Sequence, residues 1–244
     1  LWPGLFSAVA YNQKRQQQRI RLFEIGRRFT GSEHEPEEHT ELAGVITGGC
    51  RPEQWAEQCR SVDFFDIKGD LLDLAAYLGQ EGEWVFRAAT HPALHPGQSA
   101  GIFRAGEQIG WAGLLHPNTQ QFFELKGPVY AFSLDVAAIK PRNLPRHQSR
   151  SKFPRIRRDL ALIVPRDMAY ADLMEHIHRH GGEQLIEVEL FDRYIGEGVA
   201  DDKQSLAVKL IFQNNERTLT DEEVNTAIET LLAGLNTVGI TLRS

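Results

Sequence analysis

Hydrophobic and polar positions alternate most regularly in the last third of the chain, where two helix-like patterns are interleaved with four strand-like segments. A nearly continuous apolar run that stops at Pro165 predicts the first strand, and Gly181 ends the first helical pattern. Thr220 and Glu223 have the capping-box spacing that begins a second helix. The predicted elements are strand 159–165, helix 171–180, strands 185–191 and 205–212, a helix from Thr220, and strand 238–242. This β-α-β-β-α-β order predicts two helices on one face of a four-stranded sheet, with the other face left for a partner.

The pattern in the first part of the chain predicts an antiparallel sheet with flanking helices, which is an α+β domain. The expected elements are a helix from Pro3 into residues 13–18, strands 20–26 and 42–47, helix 63–78, strands 84–88, 100–104, 108–115 and 129–136, and a short helix 118–125. We expect Asn118 to cap that short helix, since it follows Pro117 and asparagine is a preferred N-cap. The fold class is therefore α+β in both parts.

Composition narrows the class of protein. The 244 residues are 41% hydrophobic and 25% charged, which excludes a disordered, collagen-like or coiled-coil chain. No apolar run is long enough to span a bilayer, and the two cysteines, Cys50 and Cys59, suit a reducing compartment, so we expect a cytoplasmic protein without membrane contact. Because residue 1 is Leu and the methionines are Met168 and Met174, we expect a piece of a longer protein.

Charge is unevenly distributed along the chain. The net charge is −6, yet residues 140–158 hold eight Lys and Arg residues and no Asp or Glu. We call this segment the basic strip; a like-charge block of this kind is either a solvated linker or an anion-binding surface. Its prolines and its few apolar residues also predict a boundary, with a first domain over 1–139, a basic linker over 140–150 and a second domain over 151–244.

Ordered motifs in the second domain are specific enough to indicate a family. They are Phe153-Pro154 followed by Arg157-Arg158-Asp159, then Leu190-Phe191-Asp192-Arg193-Tyr194, Ser205-Leu206-Ala207, and Arg217-Thr218-Leu219-Thr220 with Glu223. Together they resemble the ferredoxin-fold anticodon-binding domain that ends the β subunit of bacterial phenylalanyl-tRNA synthetase. The resemblance implies a ferredoxin-like domain that contacts the anticodon region of phenylalanine tRNA.

The first domain resembles the inactive copy of the class II synthetase catalytic domain in the same β subunit. The matching segments are Phe23-Glu24-Ile25-Gly26, Phe64 to Gly69, His95 to Ala100, and Gly110 to Pro117. An active class II site holds ATP phosphates with arginines, but here Arg21 and Glu24 are one position out of register and Gly110 to Pro117 contains no arginine. We therefore expect no catalytic residue and no cofactor bound by this chain. The resemblance implies that an α subunit in an (αβ)₂ heterotetramer joins phenylalanine to its tRNA with ATP and Mg²⁺.

The candidate tRNA-binding residues lie mostly in the second half of the basic strip. Cationic side chains are expected to neutralise phosphates, aromatic side chains to stack an unpaired base, and amides to read a base edge. The candidates are Lys152, Phe153, Arg155, Arg157, Arg158, Tyr194 and Asn214, with Phe212 and Asn215 as further possibilities. Phe153 and Phe212 also suit core packing, and Arg158 also suits an ion pair with an acid at the sheet end.

Two other interpretations stay open at this point. One is that the chain is a stand-alone regulatory module whose ferredoxin-like domain senses an amino acid. The other is a metal site at His91, His95 and His116, which we do not favour because Pro92 and Pro96 indicate extended loops and no third ligand has a fixed spacing. The histidines of 176–180 and the aspartates of 63–73 are interpreted as solvated helix surfaces, so no metal site is predicted.

Overall fold

The fold is described from a computed structural model, which describes residues 1–32, 35–56, 58–139 and 151–243. The chain divides into two units, Leu1–Arg146 and His147–Ser244. The predicted linker 140–150 lies outside the described residues, so its boundaries stay a prediction. Among the described helices, none combines the length and the apolar character that crossing a membrane requires.

The first unit is built around a six-stranded antiparallel sheet with the strand order β1-β2-β6-β5-β4-β3. Its elements are α1 (Trp2–Lys14), β1 (Ile20–Gly31), β2 (Pro36–Thr47), α2 (Phe64–Tyr77), β3 (Trp84–Ala88), β4 (Leu94–Arg104), β5 (Glu107–Leu115), α3 (Pro117–Phe122) and β6 (Val129–Asp135). The prediction of an α+β domain with an antiparallel sheet is confirmed.

The two long helices of the first unit pack on opposite faces of this sheet. On one face, Phe6 and Val9 of α1 are buried together with Ala43 and Val45 of β2. On the other face, α2 contributes its own buried cluster, including Leu71, against β4, β5 and β6. Each helix therefore places one apolar side against the sheet, as the helical spacing of those residues predicts.

Local predictions for the first unit are wrong at β1, β2, β4 and α3. β1 continues to Gly31 and β2 begins at Pro36, whereas the predicted strands were 20–26 and 42–47. β4 begins at Leu94, six residues before the predicted start, because Pro96 and Gly97 suggested a loop where the strand instead has a register irregularity. The N-cap of α3 is His116 and not Asn118, since Pro117 takes the first helical position and the His116 ring accepts from the Asn118 backbone N–H.

The second unit has the predicted β-α-β-β-α-β order, with an antiparallel sheet in the strand order β10-β7-β9-β8. Its elements are β7 (Ile156–Pro165), α4 (Tyr170–His180), β8 (Leu185–Tyr194), β9 (Lys203–Phe212), α5 (Asp221–Asn236) and β10 (Thr241–Leu242). The ferredoxin-like prediction is confirmed. β10 is shorter than predicted, because Gly239 adopts a positive φ of 78° and the turn after α5 takes up the preceding residues.

Both helices of the second unit pack on the same face of its sheet. Leu173 and Ile177 of α4 share a buried cluster with Leu231 and Leu235 of α5 and with alternate residues of β7 and β9. The capping box predicted at Thr220 is present: its hydroxyl accepts from the Glu223 N–H, and the Glu223 carboxylate accepts from the Thr220 N–H. The helices thus cover one sheet face and leave the opposite face uncovered.

Candidate nucleic-acid interface

Alternation along the strands of the second sheet shows which side chains lie on its uncovered face. On β7, Leu162 and Val164 point into the helix-covered core, so Arg157 and Asp159 lie on the opposite face. Lys209 of β9 pairs with Asp159 in the register and lies on the same side. We call this surface the open sheet face. Its charged and aromatic side chains are Arg157, Asp159, Glu187, Glu189, Phe191, Asp192, Tyr194, Lys209 and Arg243.

The cations at one end of the open sheet face are balanced by carboxylates. Arg157 donates hydrogen bonds from Nε and Nη2 to the two Asp159 oxygens, each at 2.8 Å. These bonds raise the pKa of Arg157 and lower the pKa of Asp159. Lys209 donates to Glu189, which raises the pKa of the lysine. Exposed ion pairs contribute only about 0–1 kcal/mol, so Arg157 can exchange Asp159 for a phosphate at little cost.

Two aromatic rings on the open sheet face are available to a planar ligand. Phe191 and Tyr194 of β8 are 50% and 38% exposed. The guanidinium of Arg157 lies 5.9 Å from the Phe191 ring centroid, and that of Arg243 lies 4.7 Å from the Tyr194 ring centroid. Each exposed ring thus has a cation beside it, which is the combination that binds single-stranded nucleic acid.

Arg158 and Arg155 are placed differently from Arg157. Arg158 follows on the next position of β7, and its Nη2 lies 2.5 Å from Asp221 in the first turn of α5. The alternative of an ion pair at the sheet end is therefore correct for Arg158. Arg155 precedes β7 and its Nη1 lies 3.6 Å from Glu187 of β8, with 62% of its side chain exposed. Arg155 is thus held loosely and stays accessible.

Three of the candidate residues lie near one another, where the segment before β7 meets the segment after β9: Lys152, Phe153 and Asn214. The Ser151 hydroxyl donates to the Asn214 carbonyl, and the Gln213 amide donates to the Phe153 carbonyl, which joins the two segments. Phe153 is half-buried, and the Asn214 side-chain oxygen accepts from the Glu216 N–H. Lys152 is exposed and has no ion pair among the residues that the structure describes.

The candidate residues therefore do not form one surface. Arg157 and Tyr194 share the open sheet face, while Lys152, Phe153 and Asn214 form a second group. Phe212 is fully buried, so its interpretation as a stacking residue is wrong and the core-packing alternative is correct. Sequence reasoning missed three residues of the open sheet face: Phe191, Lys209 and Arg243. Strand alternation places Lys209 on this face, and it places Phe191 there with Glu187 and Glu189; the register shift between Leu190 and Asp192 then brings Tyr194 to the same face.

In the first unit, the arginine and the glutamate of the class II comparison lie on opposite faces of β1. Arg21 reaches the α2 side, where its Nη1 lies 2.6 Å from Asp70. Glu24 lies on the α1 side, close to Gly26 and Leu1. Asp63 and Asp66 form the capping box of α2, and Arg60 holds the Asp66 carboxylate with two hydrogen bonds that lower its pKa. These aspartates have structural partners and are not the simple solvated face that we expected.

The three histidines of the metal hypothesis have a common local role. His91, His95 and His116 each precede a proline, and each accepts at Nδ1 a hydrogen bond from the backbone N–H two residues later. Proline supplies no N–H, so the ring captures the next available donor. Within the described residues, no group of three His, Cys, Asp or Glu side chains is arranged to hold a metal ion.

Comparisons with known proteins agree with this geometry. Residues 1–136 match the family model for the phenylalanyl tRNA synthetase beta chain CLM domain, and residues 151–243 match the ferredoxin-fold anticodon binding domain. The chain is 45% identical over 96% of its length to the phenylalanine–tRNA ligase beta subunit of Pseudomonas putida, and 44% identical over its full length to that of Hahella chejuensis.

Coverage of those relatives is partial. The chain spans 30% of the Pseudomonas putida relative and 31% of the Hahella chejuensis relative. The beta subunit of Nitrosococcus oceani, 44% identical over 97% of this chain, is likewise covered over 30% of its length. The first family match alone includes more than half of the chain. The chain therefore belongs to the phenylalanyl-tRNA synthetase β-chain family and carries that family's ferredoxin-fold anticodon-binding domain.

Proposed function

We propose that this chain is the C-terminal part of a phenylalanine–tRNA ligase β subunit and that its second unit binds the anticodon region of phenylalanine tRNA. The parent reaction joins phenylalanine to its tRNA with ATP and Mg²⁺. In this proposal an α subunit performs that chemistry in a cytoplasmic (αβ)₂ heterotetramer. The family match and the identity of 44–45% to relatives named phenylalanine–tRNA ligase beta subunit support it.

The observation that carries the proposal is the open sheet face of the anticodon-binding domain. Phe191 and Tyr194 are exposed there beside Arg157 and Arg243. Sequence-specific RNA recognition mostly targets single-stranded loops, whose bases are unstacked and can be taken up on aromatic side chains. An anticodon loop is such a target, and the open sheet face offers ring and cation side by side.

We assign the candidate residues different shares of the contact. Tyr194 stacks a base, and Arg157 and Arg155 exchange carboxylates for phosphates, since both ion pairs are exposed. Lys152, Phe153 and Asn214 extend the contact at the border of the domain. Arg158 contributes least, because alternation along β7 places it on the helix-covered side, where it pairs with Asp221 of α5.

The first unit supports the assembly in this proposal and does not activate phenylalanine. Arg21 is held by Asp70 on the side of β1 opposite Glu24, so the two side chains do not converge on one phosphate. Electrostatic stabilisation of an ATP phosphate needs preorganised cations at the reacting group. We further propose the boundaries 1–139, 140–150 and 151–244 for the two domains and their linker.

The test is binding of the 244-residue chain to a labelled anticodon stem-loop of phenylalanine tRNA, with a loop of altered anticodon for comparison. Tyr194→Ala is expected to weaken binding by roughly 1–3 kcal/mol, the value of one stacked base. Phe122→Ala removes a ring that is 80% exposed in the first unit and is the matched control. Equal binding to both loops, or equal effects of the two substitutions, would refute recognition by the open sheet face.

A further inference from the structure

One oxygen of a carboxylate is buried without a hydrogen bond on the α1 side of the first sheet. Glu41 of β2 is 9% exposed, and its Oε2 has no hydrogen-bond partner in the described ranges. The cation nearest in the register, Arg28 of β1, places its Nε 3.7 Å from that oxygen, which is too far for a hydrogen bond. This oxygen therefore lies within ion-pair distance of Arg28 but lacks a hydrogen-bond donor to offset its desolvation.

Glu41 lies where two lobes of a cleft meet. The lobes have volumes of about 270 Å³ and 300 Å³, and both are bordered by Arg28, Glu41, Trp111 and Ser133. Glu41, Ser133 and Trp111 lie on one face of the sheet, because Ser133 pairs with Ala43 on one side and with Trp111 on the other. The carboxylate is therefore part of the floor of a cavity large enough for a small organic molecule.

One wall of the cleft is aromatic. The His91 ring lies between two tryptophans, with its centroid 5.1 Å from that of Trp2 and 5.1 Å from that of Trp111. Burial lowers the pKa of His91, so the imidazole is neutral near pH 7 and does not repel a cation. Trp2 already donates its Nε1–H to the Phe132 carbonyl, which leaves its ring as an apolar surface. Aromatic faces attract cations, most strongly where water is excluded.

The other charged groups of the cleft favour a positive ligand. Asp135 borders the lobe of 270 Å³, and one of its oxygens accepts from the Ala137 N–H. His39 borders the same lobe and hydrogen-bonds Thr30. Two carboxylates thus face one guanidinium, that of Arg28, whose side chain is 50% exposed and only loosely placed against Glu41. A ligand cation can displace it without breaking a hydrogen bond.

We propose that this cleft binds a small primary ammonium compound with an apolar or aromatic body. The ammonium donates to Glu41, and the body lies against the wall formed by Trp2, His91 and Trp111. The same chemistry is presented by a simple amine and by a free amino acid, whose carboxylate would in addition meet Arg28. This site is separate from the RNA contact proposed above, since it lies in the first unit and shares no residue with it.

Three ligands that share a phenyl ring separate the contribution of the ammonium group from that of the carboxylate group. Isothermal titration of the 244-residue chain is made with phenethylamine, with L-phenylalanine, and with 3-phenylpropionate, which lacks the ammonium. We expect phenethylamine to bind at least tenfold more tightly than 3-phenylpropionate. Tighter binding of the amino acid than of the amine supports the proposal with an amino acid as ligand, and the reverse order supports it with an amine. Absence of binding by either ammonium compound, or equal binding of 3-phenylpropionate, overturns it.

Substitutions then test the assigned partners. Glu41→Gln keeps the shape and removes the charge, and we expect it to weaken phenethylamine binding at least tenfold. Arg27→Gln is the matched control. Arg27 precedes Arg28 in β1, lies on the face of the sheet opposite the cleft, and pairs with the exposed Glu38. Arg28→Gln is expected to weaken the amino acid but not the amine. Unchanged amine binding in folded Glu41→Gln protein, verified by circular dichroism, overturns the proposal, and the three-ligand comparison decides if that variant does not fold.

Discussion

The ion pair between Arg157 and Asp159 offers a direct test of how the open sheet face meets RNA. The perturbations are Arg157→Gln, Asp159→Asn and the two combined. If Arg157 exchanges Asp159 for a phosphate, the first substitution removes a phosphate contact. The second removes the competing carboxylate, so it is expected to strengthen binding. The gain from Asp159→Asn is expected to shrink when Arg157 is absent, because the carboxylate then has only Lys209, its register partner on β9, to hold back.

The expected magnitudes follow from the exposure of the pair. The side chains of Arg157 and Asp159 are 58% and 44% exposed, so their ion pair contributes about 0–1 kcal/mol. Asp159→Asn is therefore expected to tighten RNA binding by up to about fivefold at low salt. One phosphate contact to a single strand changes the slope of log affinity against log salt by about 0.7, which is the loss expected for Arg157→Gln.

The assay is fluorescence anisotropy with the anticodon stem-loop over a series of salt concentrations. Arg179→Gln is the control, since Arg179 of α4 is 57% exposed and paired with Glu175 at 2.5 Å, but lies in the helical layer. Its slope is expected to equal that of the unsubstituted protein. Two results would refute the reasoning: an equal loss of slope in Arg179→Gln, or a gain from Asp159→Asn that is undiminished without Arg157.

Three further predictions concern the stability of the described units. Phe212→Ala is expected to lower the free energy of unfolding of the second unit by about 3–5 kcal/mol, measured with urea, because the ring is fully buried; no loss would contradict its place in the core. Hydrogen bonds from Arg217 lower the pKa of Glu223 to about 2, so its stabilising contribution is present above its ordinary pKa of 4.5 and is lost as pH falls towards 2. The free energy of unfolding is to be measured between pH 6 and pH 2. In Glu223→Gln, the part of its pH dependence that comes from Glu223 is expected to be absent. Gly234→Ala is expected to destabilise the contact between α4 and α5, since a Cβ would lie 2.3 Å from the His180 ring. Gly69→Ala is the control: Gly69 is also helical but has open space at this position, so the substitution is expected to stabilise the first unit by up to about 1 kcal/mol.

Local patterns were sufficient for most of the fold because each signal had a physical cause that operates within a few residues. The capping box at Thr220 and the apolar spacing of α5 depend only on neighbouring residues, and both occur in the structure. The errors arose where pairing with distant parts of the chain determines the local structure. Pro96 and Gly97 look like a loop, but Leu94 and Ser99 on either side of them pair with β5 and keep them within β4.

The sequence predicted the type of candidate site, but it predicted less well which residues form it. A cluster of arginines before a strand indicates an anion-binding surface, but it does not show which carboxylates neutralise each guanidinium. Arg158 is adjacent to Arg157, yet alternation along β7 gives the two side chains opposite faces and different partners, Asp221 and Asp159. The position of Tyr194 on the same face as Phe191 depends on the register shift between Leu190 and Asp192. These facts depend on strand pairing, which composition and charge do not contain.

The balance of charge on the open sheet face also bears on specificity. If every cation there were unpaired, attraction to any RNA backbone would dominate, and affinity would depend mainly on salt. Arg157 and Lys209 are instead held by carboxylates of the same face, so a phosphate gains only the difference between two similar ion pairs. In the proposed complex, a base stacked on Tyr194 would then contribute a larger share of the binding energy than the backbone does. A domain arranged in this way favours ligands that present an unpaired base, because duplex RNA offers phosphates but no free ring.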